Sequence, residues 1–321
     1  MKVKIRIGNE VKEYTGAWED HTLLEVFQEL GITQVHAPCG GNGTCKKCLV
    51  TVEGLGKVLS CQTQCKDDMC VTVAEEQKSA IAENGNCYLY PADAGEGLLA
   101  ACDIGTTTVV CHLLDGATGV RLCTVSAPNA QRSFGADVIS RIQASVDSGL
   151  DKLQSAIVDQ INGMLVQLKQ KAGRTEDIRR LAVAGNTVMS HLFCGLSPES
   201  IGVAPFTPLS LFGESYDAKQ IGIEGCETVY VVPSIAGYVG GDIVADLAAV
   251  QMHSSVLAEA GEKETLMLDI GTNGEMVLGK SGSYVCCATA AGPAFEGAEI
   301  AMGMPAASGA ISKVWLEDGK I

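Results

Sequence analysis

Short stretches of alternating apolar and polar residues occupy the first 75 positions and predict a small β-sheet. The runs "MKVKIRI", "VKEYT", "CLVTVEG", "KVLSC" and "MCVTV" are rich in strand-forming residues and are separated by turn residues. Between the second and third runs, "HTLLEVFQELG" places four apolar side chains on one helical face, namely Leu23, Val26, Phe27 and Leu30. Thr22 and Glu25 form a capping-box pair at its start. We therefore expect a sheet crossed by one helix.

The pattern changes after residue 97 to strands that alternate with helices. "RRLAVAGNTVMSHLFCG" predicts strand, turn and helix, and "VVPSIAGYVGGDIVADLAAV" predicts strand, glycine turn and helix. The polar stretch "AEEQKSAIAENGNCYLYPADAGEG" before them lacks sustained periodicity and is typical of a connector. The chain is thus predicted to comprise a first domain (1–75), a linker (76–97) and a larger α/β domain (98–321).

Charge and composition narrow the classes of partner. The formal net charge of −15 over 321 residues disfavours nucleic acid and anionic lipid surfaces. No run of about 18 apolar residues predicts a membrane span, and "MKVKIRIGNE" does not resemble a secretion signal. The 14 cysteines are therefore expected to be reduced or metal-bound in the cytoplasm.

Three of these cysteines lie in the glycine-rich stretch "HAPCGGNGTCKKCLV". They are Cys39, Cys45 and Cys48, and Cys61 follows after twelve further residues. Glycines allow a loop to wrap closely around a metal centre and to direct N–H groups at cluster sulfurs. Tetrahedral zinc is the alternative, but zinc motifs usually come as paired two-residue knuckles. The spacing therefore favours an iron–sulfur cluster.

"CGGNGTCKKC" followed by "VLSCQT" resembles the plant- or adrenodoxin-type 2Fe-2S ferredoxins, which have a β-grasp fold. The resemblance implies four cluster ligands, namely Cys39, Cys45, Cys48 and Cys61. Such ferredoxins usually have more residues, including a helix, between the last two ligands. Cys65 and Cys70 therefore compete for the fourth position, although "VLSCQ" matches the family's context at Cys61.

An internal repeat marks the larger domain. "CDIGTTTVVCHLLD" and "LDIGTNGEMVLGK" share an Asp-Ile-Gly-Thr turn after an apolar lead-in and before a strand-like run. Such a hairpin presents backbone N–H and Thr hydroxyl donors to a phosphate, and its carboxylate suits Mg²⁺.

The pair resembles the two phosphate motifs of the acetate and sugar kinase, heat-shock chaperone and actin (ASKHA) superfamily, which binds ATP between two lobes. The resemblance implies catalytic roles for Asp103 and Asp269. It implies ATP contacts at six further positions, namely Gly105, Thr106, Thr107, Gly271, Thr272 and Asn273.

Three other features have simpler interpretations. "GEMVLGKS" satisfies the P-loop pattern, but "EMVL" predicts a strand, and Lys280 is then an exposed hairpin lysine. Asp137 and Arg141 are interpreted as a surface pair one helical turn apart, with a role near the nucleotide as the alternative. His191 is interpreted as a core or surface helix residue rather than a reactive group.

The order of all these motifs resembles the reductive activators of corrinoid proteins. The resemblance implies that one electron passes from an upstream donor through a 2Fe-2S cluster to Co(II) cobalamin, with MgATP driving the step. The product is the Co(I) state that a methyltransferase system needs. Two alternatives stay open: a redox- and nucleotide-responsive binding module, and an activator of radical acyl-CoA dehydratases or reductases.

These features predict an α+β ferredoxin domain followed by an α/β, actin-like ATPase domain. The second lobe of that domain should begin near Leu266. The chain has only 56 residues from there to Ile321. We therefore expect the second lobe to be incomplete, as in a truncated chain.

Overall fold

The computed structural model describes residues 1–32, 34–35, 37, 41–43, 46–74, 95–252, 264–271, 273–280 and 283–290. Within these ranges the strands form three sheets, of five, six and three strands. A cluster of buried apolar side chains accompanies each sheet. The domain boundaries proposed above remain a prediction that is compatible with this division.

The first sheet spans residues 2–73, and helix α1 (Leu23–Glu29) packs on it. Its strands are β1 (Lys2–Ile7), β2 (Glu10–Thr15), β3 (Leu49–Val52), β4 (Gly56–Leu59) and β5 (Met69–Val73). They lie in the order β2–β1–β5–β3–β4, with β1 and β5 parallel and the other pairs antiparallel. This arrangement confirms the predicted ferredoxin-like sheet crossed by one helix.

Helix α1 begins at the predicted capping box. The Thr22 hydroxyl accepts a bond from the Glu25 N–H, and the Glu25 carboxylate accepts one from the Thr22 N–H at 2.6 Å. Val26 and Phe27 are fully buried against the sheet. Burial of each such side chain stabilises the fold by about 1.5–3 kcal/mol.

The second sheet is the centre of the larger domain. Its strands are β6 (Leu98–Ile104), β7 (Thr108–Asp115), β8 (Arg121–Pro128), β9 (Ile178–Gly185), β10 (Glu214–Asp217) and β11 (Cys226–Val231). They lie in the order β10–β11–β9–β6–β7–β8, and β6, β9 and β11 run parallel. The predicted unit "RRLAVAGNTVMSHLFCG" supplies most of β9 and the helix that follows it. The unit "VVPSIAGYVGGDIVADLAAV" supplies the predicted helix, but its strand lies earlier than predicted, because β11 ends at the first residue of the unit, Val231.

Five helices belong to this part of the chain. They are α2 (Val138–Ala144), α3 (Leu150–Ala172), α4 (Thr187–Phe193), α5 (Ala218–Ile221) and α6 (Gly241–Met252). Helix α3 buries an apolar stripe at three- and four-residue spacing that includes Leu153, Ile157 and Ile161. None of the described helices is long and apolar enough to cross a membrane.

The third sheet is antiparallel and follows α6. It contains β12 (Thr265–Ile270), β13 (Asn273–Lys280) and β14 (Ser283–Ala290). Val277 of β13 packs with Ile243 of α6. Because β13 is a strand with an exposed Lys280, the P-loop interpretation is wrong, as the sequence argument predicted. Residues 291–321, which belong to the predicted second lobe, lie outside the described residues.

One prediction about α2 is wrong. Arg141 is fully buried and is not part of a surface pair with Asp137. Asp137 instead caps the helix by accepting the Ser140 N–H at 2.8 Å. Since Arg141 donates to backbone carbonyls beneath the β6–β7 turn, its long side chain points into the domain.

The first domain contacts the second at a short 3₁₀ turn, Ala130–Ser133. The Gln28 side chain on α1 donates to the Ser133 carbonyl at 2.9 Å. Beside this bond, residues of α1 and α3 line a cavity of about 680 Å³. The interface in this region is therefore loosely packed.

The cap of α1 gives a first test. Thr22→Ala should lower the free energy of unfolding of α1 by about 1 kcal/mol because the Glu25 N–H loses its acceptor. Hydrogen exchange of the 23–29 amides in the intact chain measures this, with Thr22→Ser as the control that keeps the hydroxyl. Equal protection in Thr22→Ala and the wild type would show that the cap contributes nothing.

Candidate functional site

The β3–β4 hairpin brings Cys61 back to Cys48. Leu49 pairs with Leu59 at the open end of the hairpin, so the residues just outside it are neighbours. The Ser60 N–H donates to the Cys48 carbonyl at 2.9 Å, and a 3₁₀ turn then places Cys61 beside Cys48. A hairpin of this length therefore joins the two cysteines without the longer connection of other ferredoxins.

The two thiols are close enough to share one metal ion. Their Sγ atoms are 3.2 Å apart, and both residues are buried. Two thiolates on one tetrahedral metal with bonds near 2.3 Å lie about 3.8 Å apart. An outward shift of about half an ångström would therefore fit the pair to an iron or zinc ion.

The glycine loop passes directly over this pair. Gly41 and Gly43 have φ angles of +89° and +80°, which residues with a side chain rarely adopt. The Gln62 side chain donates to the Gly41 carbonyl at 2.9 Å and fixes the loop to the 3₁₀ turn. Cys39 and Cys45, the other two predicted ligands, lie outside the described residues.

The competing cysteines occupy other places. Cys65 is buried, and its N–H donates to the His21 carbonyl ahead of α1. Burial raises the pKa of the Cys65 thiol, and the charged groups that act on it are the Met1 amine, Asp67 and Glu19. Cys70 lies within β5. The geometry thus brings Cys61 to Cys48 and supports Cys61 over Cys65.

The first Asp-Ile-Gly-Thr motif forms a tight turn between β6 and β7. Asp103 is the penultimate residue of β6, and Gly105, Thr106 and Thr107 make the turn. A Cβ atom on Gly105 would lie 2.7 Å from the Thr108 carbonyl oxygen, so a larger residue cannot occupy this position without a backbone shift. The predicted glycine requirement therefore has a steric cause.

Buried donors hold the carbonyl oxygens of this turn. The Asn129 side chain donates to the Gly105 carbonyl at 2.8 Å, and its N–H donates to the Thr107 carbonyl at 2.9 Å. Arg141 donates to the Thr106 carbonyl at 2.5 Å. Asn186, the N-cap of α4, donates to the Thr106 hydroxyl at 3.1 Å. The sequence interpretation missed Asn129 and Asn186.

The second motif forms a comparable turn between β12 and β13. The Gly271 N–H donates to the Asn273 carbonyl at 2.9 Å. Among the described residues, a Cβ on Gly271 would approach that oxygen at 3.7 Å, which is an ordinary van der Waals distance. Asp269 pairs directly with Glu275 across the two strands. Thr272 lies outside the described residues.

Five carboxylates from four elements act on one another electrostatically. We call them the acidic cluster, which consists of Asp103, Asp242, Asp246, Asp269 and Glu275. The structure thus brings the two predicted aspartates into one electrostatic group, since the charge of Asp269 acts on Asp103. Three members were not predicted as site residues. A clue lay in "GGDIVAD", where two aspartates one turn apart follow a glycine pair.

Desolvation and repulsion by neighbouring carboxylates raise the pKa values of four cluster members, namely Asp103, Asp242, Asp246 and Glu275. Burial, with the charges of Asp242, Asp269 and Asp246, raises the pKa of Glu275 to about 7. Desolvation and the neighbouring aspartates also raise the pKa of Asp103 to about 7, although its side chain still reaches solvent. Of the five cluster residues, Glu275 is the one that is buried from solvent. The pH prediction below therefore rests on Glu275.

The oxygen donors suit a hard divalent cation. Mg²⁺ usually keeps several waters and takes one or two carboxylates together with substrate phosphates. In the described part of the chain no three acidic, His or Cys side chains stand close enough to enclose a metal ion. A cation here would therefore depend on water or phosphate for much of its coordination.

Two glycines let α6 approach the first lobe. A Cβ on Gly240 would lie 2.4 Å from the Asn186 Cα, and one on Gly241 would lie 2.7 Å from the Val232 carbonyl. This close approach places Asp242, at the start of α6, in the acidic cluster. The glycine pair thus has a positional role in the site.

His191 has a structural role, as predicted. It is fully buried, and its Nδ1 lies 2.7 Å from the Thr187 carbonyl. Its Nε2 accepts the N–H groups of Leu209 and Ser210. Burial lowers the pKa of the ring, which suits the neutral form that can make these bonds.

Family models match nearly the whole chain. Residues 5–76 match a 2Fe-2S iron-sulfur cluster binding domain, residues 98–255 match the RACo middle region, and residues 263–321 match the C-terminal domain of RACo, the ASKHA domain. The chain belongs to the RACo family. Both domain types predicted from the motifs are thereby confirmed.

Two relatives carry names that describe corrinoid chemistry. The corrinoid activation enzyme RamQ of Eubacterium limosum is 32% identical over 94% of this chain and 64% of its own length. The Co(II) methylated amine-specific corrinoid protein reductase of Methanosarcina barkeri is 29% identical over 67% of this chain and 40% of its own length. The chain therefore spans less than two thirds of either relative.

A solved structure shares the architecture. The structure named reductive activator for corrinoid, iron-sulfur protein has a TM-score of 0.58 and 30% identity, and the match covers 94% of this chain and 65% of that one. This chain therefore shares the fold of about two thirds of that structure.

Titration of the acidic cluster should make stability depend on pH. The pKa of Glu275 is higher in the folded state than its ordinary value near 4.5, so the folded state loses stability as pH rises from about 4.5 through 7. Glu275→Gln removes this loss. In a chelator, urea unfolding should show the variant about 1–3 kcal/mol more stable than the wild type at pH 8, with a smaller difference at pH 5.

Glu227→Gln is the matched control, because Glu227 is exposed on β11. It should leave the pH profile unchanged. Identical profiles for Glu275→Gln and the wild type would refute the raised pKa.

Proposed function

We propose that the whole protein performs ATP-dependent reductive activation of a corrinoid protein of a methyltransferase system. It accepts one electron from an upstream donor and delivers it to Co(II) cobalamin, which becomes Co(I). The donor is oxidised by one electron, so the transfer balances. Names of the relatives support this reading, since both describe activation or reduction of corrinoid proteins.

One observation carries the proposal: a pair of adjacent buried cysteines and a tight Asp-Ile-Gly-Thr turn occur in the same chain. Cys48 and Cys61 meet in the ferredoxin-like domain, and the Gly105–Thr107 turn lies in the RACo middle region. The acidic cluster combines residues of that region with residues of the ASKHA domain. An electron carrier has no need of a nucleotide site unless the transfer itself requires energy.

The described residues fit half of a 2Fe-2S site. Cys48 and Cys61 would hold one iron, and we propose Cys39 and Cys45 as ligands of the other. A bound cluster supplies a one-electron carrier. The protein contributes buried thiols and a glycine loop fixed by Gln62, which excludes water from the sulfurs on that side.

The RACo middle region and the ASKHA domain would together hold MgATP. We propose that Asp103 and Asp269 position the magnesium ion, directly or through water. Six residues would contact the phosphates, namely Gly105, Thr106, Thr107, Gly271, Thr272 and Asn273. The raised pKa values of four of the five carboxylates in the acidic cluster are consistent with a site that binds cations, because a cation relieves the repulsion among the carboxylates.

The energetics explain why ATP is needed. Plant-type clusters have potentials near −400 mV. Each ~59 mV by which the cobalt couple lies lower costs a factor of ten in a one-electron equilibrium. Closure of the domain on a nucleotide can offset that gap if it favours the complex in which cobalt is reduced.

We propose a reducing, cytoplasmic location, because the 14 cysteines of the chain would then stay reduced or bind metal. The strongly negative net charge disfavours nucleic acid as a partner.

The cluster assignment has a direct test. Anaerobically purified protein should contain close to two iron and two sulfide ions per chain, as a 2Fe-2S cluster requires. Cys61→Ser should shift or abolish the visible spectrum because it removes a ligand, whereas Cys65→Ser, the matched control, should not. Stoichiometric zinc without visible absorbance would exclude the cluster, and the reverse pattern of the two variants would assign Cys65 as the ligand.

The nucleotide assignment is tested in the longest natural form of the protein. Asp103→Ala and Asp269→Ala should each lower ATP-dependent corrinoid reduction on the order of 100-fold, with an intact cluster spectrum. Asp177→Ala is the control, since Asp177 is exposed and immediately precedes β9, at the end of that strand opposite to the turn. Wild-type rates in Asp269→Ala would remove the second motif from the site. ATP hydrolysis without corrinoid reduction in the wild type would favour a nucleotide-responsive binding module.

A further inference from the structure

Arg141 is a fully buried cation beneath the phosphate-binding turn. Its guanidinium has three neutral partners. Nε donates to the Gly135 carbonyl at 3.0 Å, Nη2 donates to the Thr106 carbonyl at 2.5 Å, and Nη1 lies 3.0 Å from the Met189 sulfur. None of these partners carries a negative charge.

Across the described ranges no carboxylate forms an ion pair with Arg141. Asp137, on the preceding turn of the chain, is exposed and caps α2 instead. Burial and the charge of Arg132 lower the pKa of Arg141 to about 9, so the group still carries its charge at neutral pH. Burial of a charge without an ionic partner lowers the stability of a fold. The buried Arg141 guanidinium therefore suggests a role other than stabilisation.

The bonds to the turn determine which way its peptide groups face. The carbonyls of Gly105, Thr106 and Thr107 all accept from inside the protein. In a trans peptide the N–H of the next residue points opposite to the carbonyl. The N–H groups of residues 106–108 are therefore directed away from Asn129 and Arg141, towards the outer side of the turn.

We propose that Arg141 is a positioning residue for phosphate binding. It fixes the Thr106 carbonyl inward, so that the N–H groups of the turn face a bound phosphate, and it places a fixed positive charge behind them. The acidic cluster repels the same phosphates, and the Arg141 charge offsets part of that repulsion. This inference rests on the proposed function, because it takes nucleotide phosphates as the ligand of the turn.

Calorimetry with MgATP and MgADP on the longest natural form tests the role of the charge. Arg141→Met should weaken MgATP binding on the order of 10- to 100-fold. The loss for MgADP should be about threefold smaller, since it has one phosphate fewer to attract. Arg141→Gln keeps an N–H donor without the charge and should likewise lose more affinity for MgATP than for MgADP. This variant replaces Arg141→Met in the experiment if Arg141→Met does not fold. Arg141→Lys should retain the wild-type ratio of the two affinities.

Arg180→Met is the matched control, since Arg180 is an exposed arginine on β9, and it should bind both nucleotides as the wild type does. Hydrogen exchange without ligand provides a second readout. The 104–108 amides should exchange faster in Arg141→Met, while thermal unfolding of the domain changes little.

The outcomes separate this inference from the proposed function. Equal losses for MgATP and MgADP in both neutral variants, or affinities within twofold of the wild type, would overturn the role of Arg141 alone. A wild-type protein that binds neither nucleotide would overturn the proposed function and the inference together.

Discussion

The β6–β7 turn can close only because Gly105 has no side chain, and the first lobe is organised around that closure. The tight turn directs its carbonyls inward, where Asn129 and Arg141 satisfy them. The segment that carries Asn129 is fixed in turn by Gln160 of α3, which accepts the Ala130 N–H at 2.8 Å and donates to the Pro128 carbonyl at 2.7 Å. The β6–β7 turn thus depends on α3, which begins some 40 residues later in the chain.

In the ferredoxin-like domain, the short connection between Cys48 and Cys61 limits which structures can join them. Twelve residues between Cys48 and Cys61 are too few for the helix-containing connection of other ferredoxins, but they suffice for two four-residue strands and a turn. The pairing register of the hairpin then decides which cysteine reaches Cys48. A slip of one residue would turn the alternate side chains of β4 to the other face of the sheet.

Local patterns predicted most of the fold, because each depends on residues a few positions apart. The five strands of the first sheet, the capping box at Thr22 and the strand nature of β13 all followed from such patterns. Proximity between distant segments was not predictable in this way. The spacing of Asp137 and Arg141 suits a surface pair equally well, and only the packing of α2 beneath a turn some 35 residues away buries the arginine. Asp242 and Asp246 of α6 likewise lie in the acidic cluster because of packing between segments that are distant in sequence.

The 3₁₀ turn Ala130–Ser133 touches both halves of the molecule. Its N-cap, Asn129, donates to the β6–β7 turn, and its last carbonyl accepts a hydrogen bond from the Gln28 side chain of the ferredoxin-like domain. If nucleotide binding changes the free energy of that contact, thermodynamic linkage requires the domain contact to change nucleotide affinity by the same factor. The position of the ferredoxin-like domain and the occupancy of the proposed nucleotide site would then be thermodynamically coupled. The cavity beside Gln28 provides space in which the ferredoxin-like domain could shift.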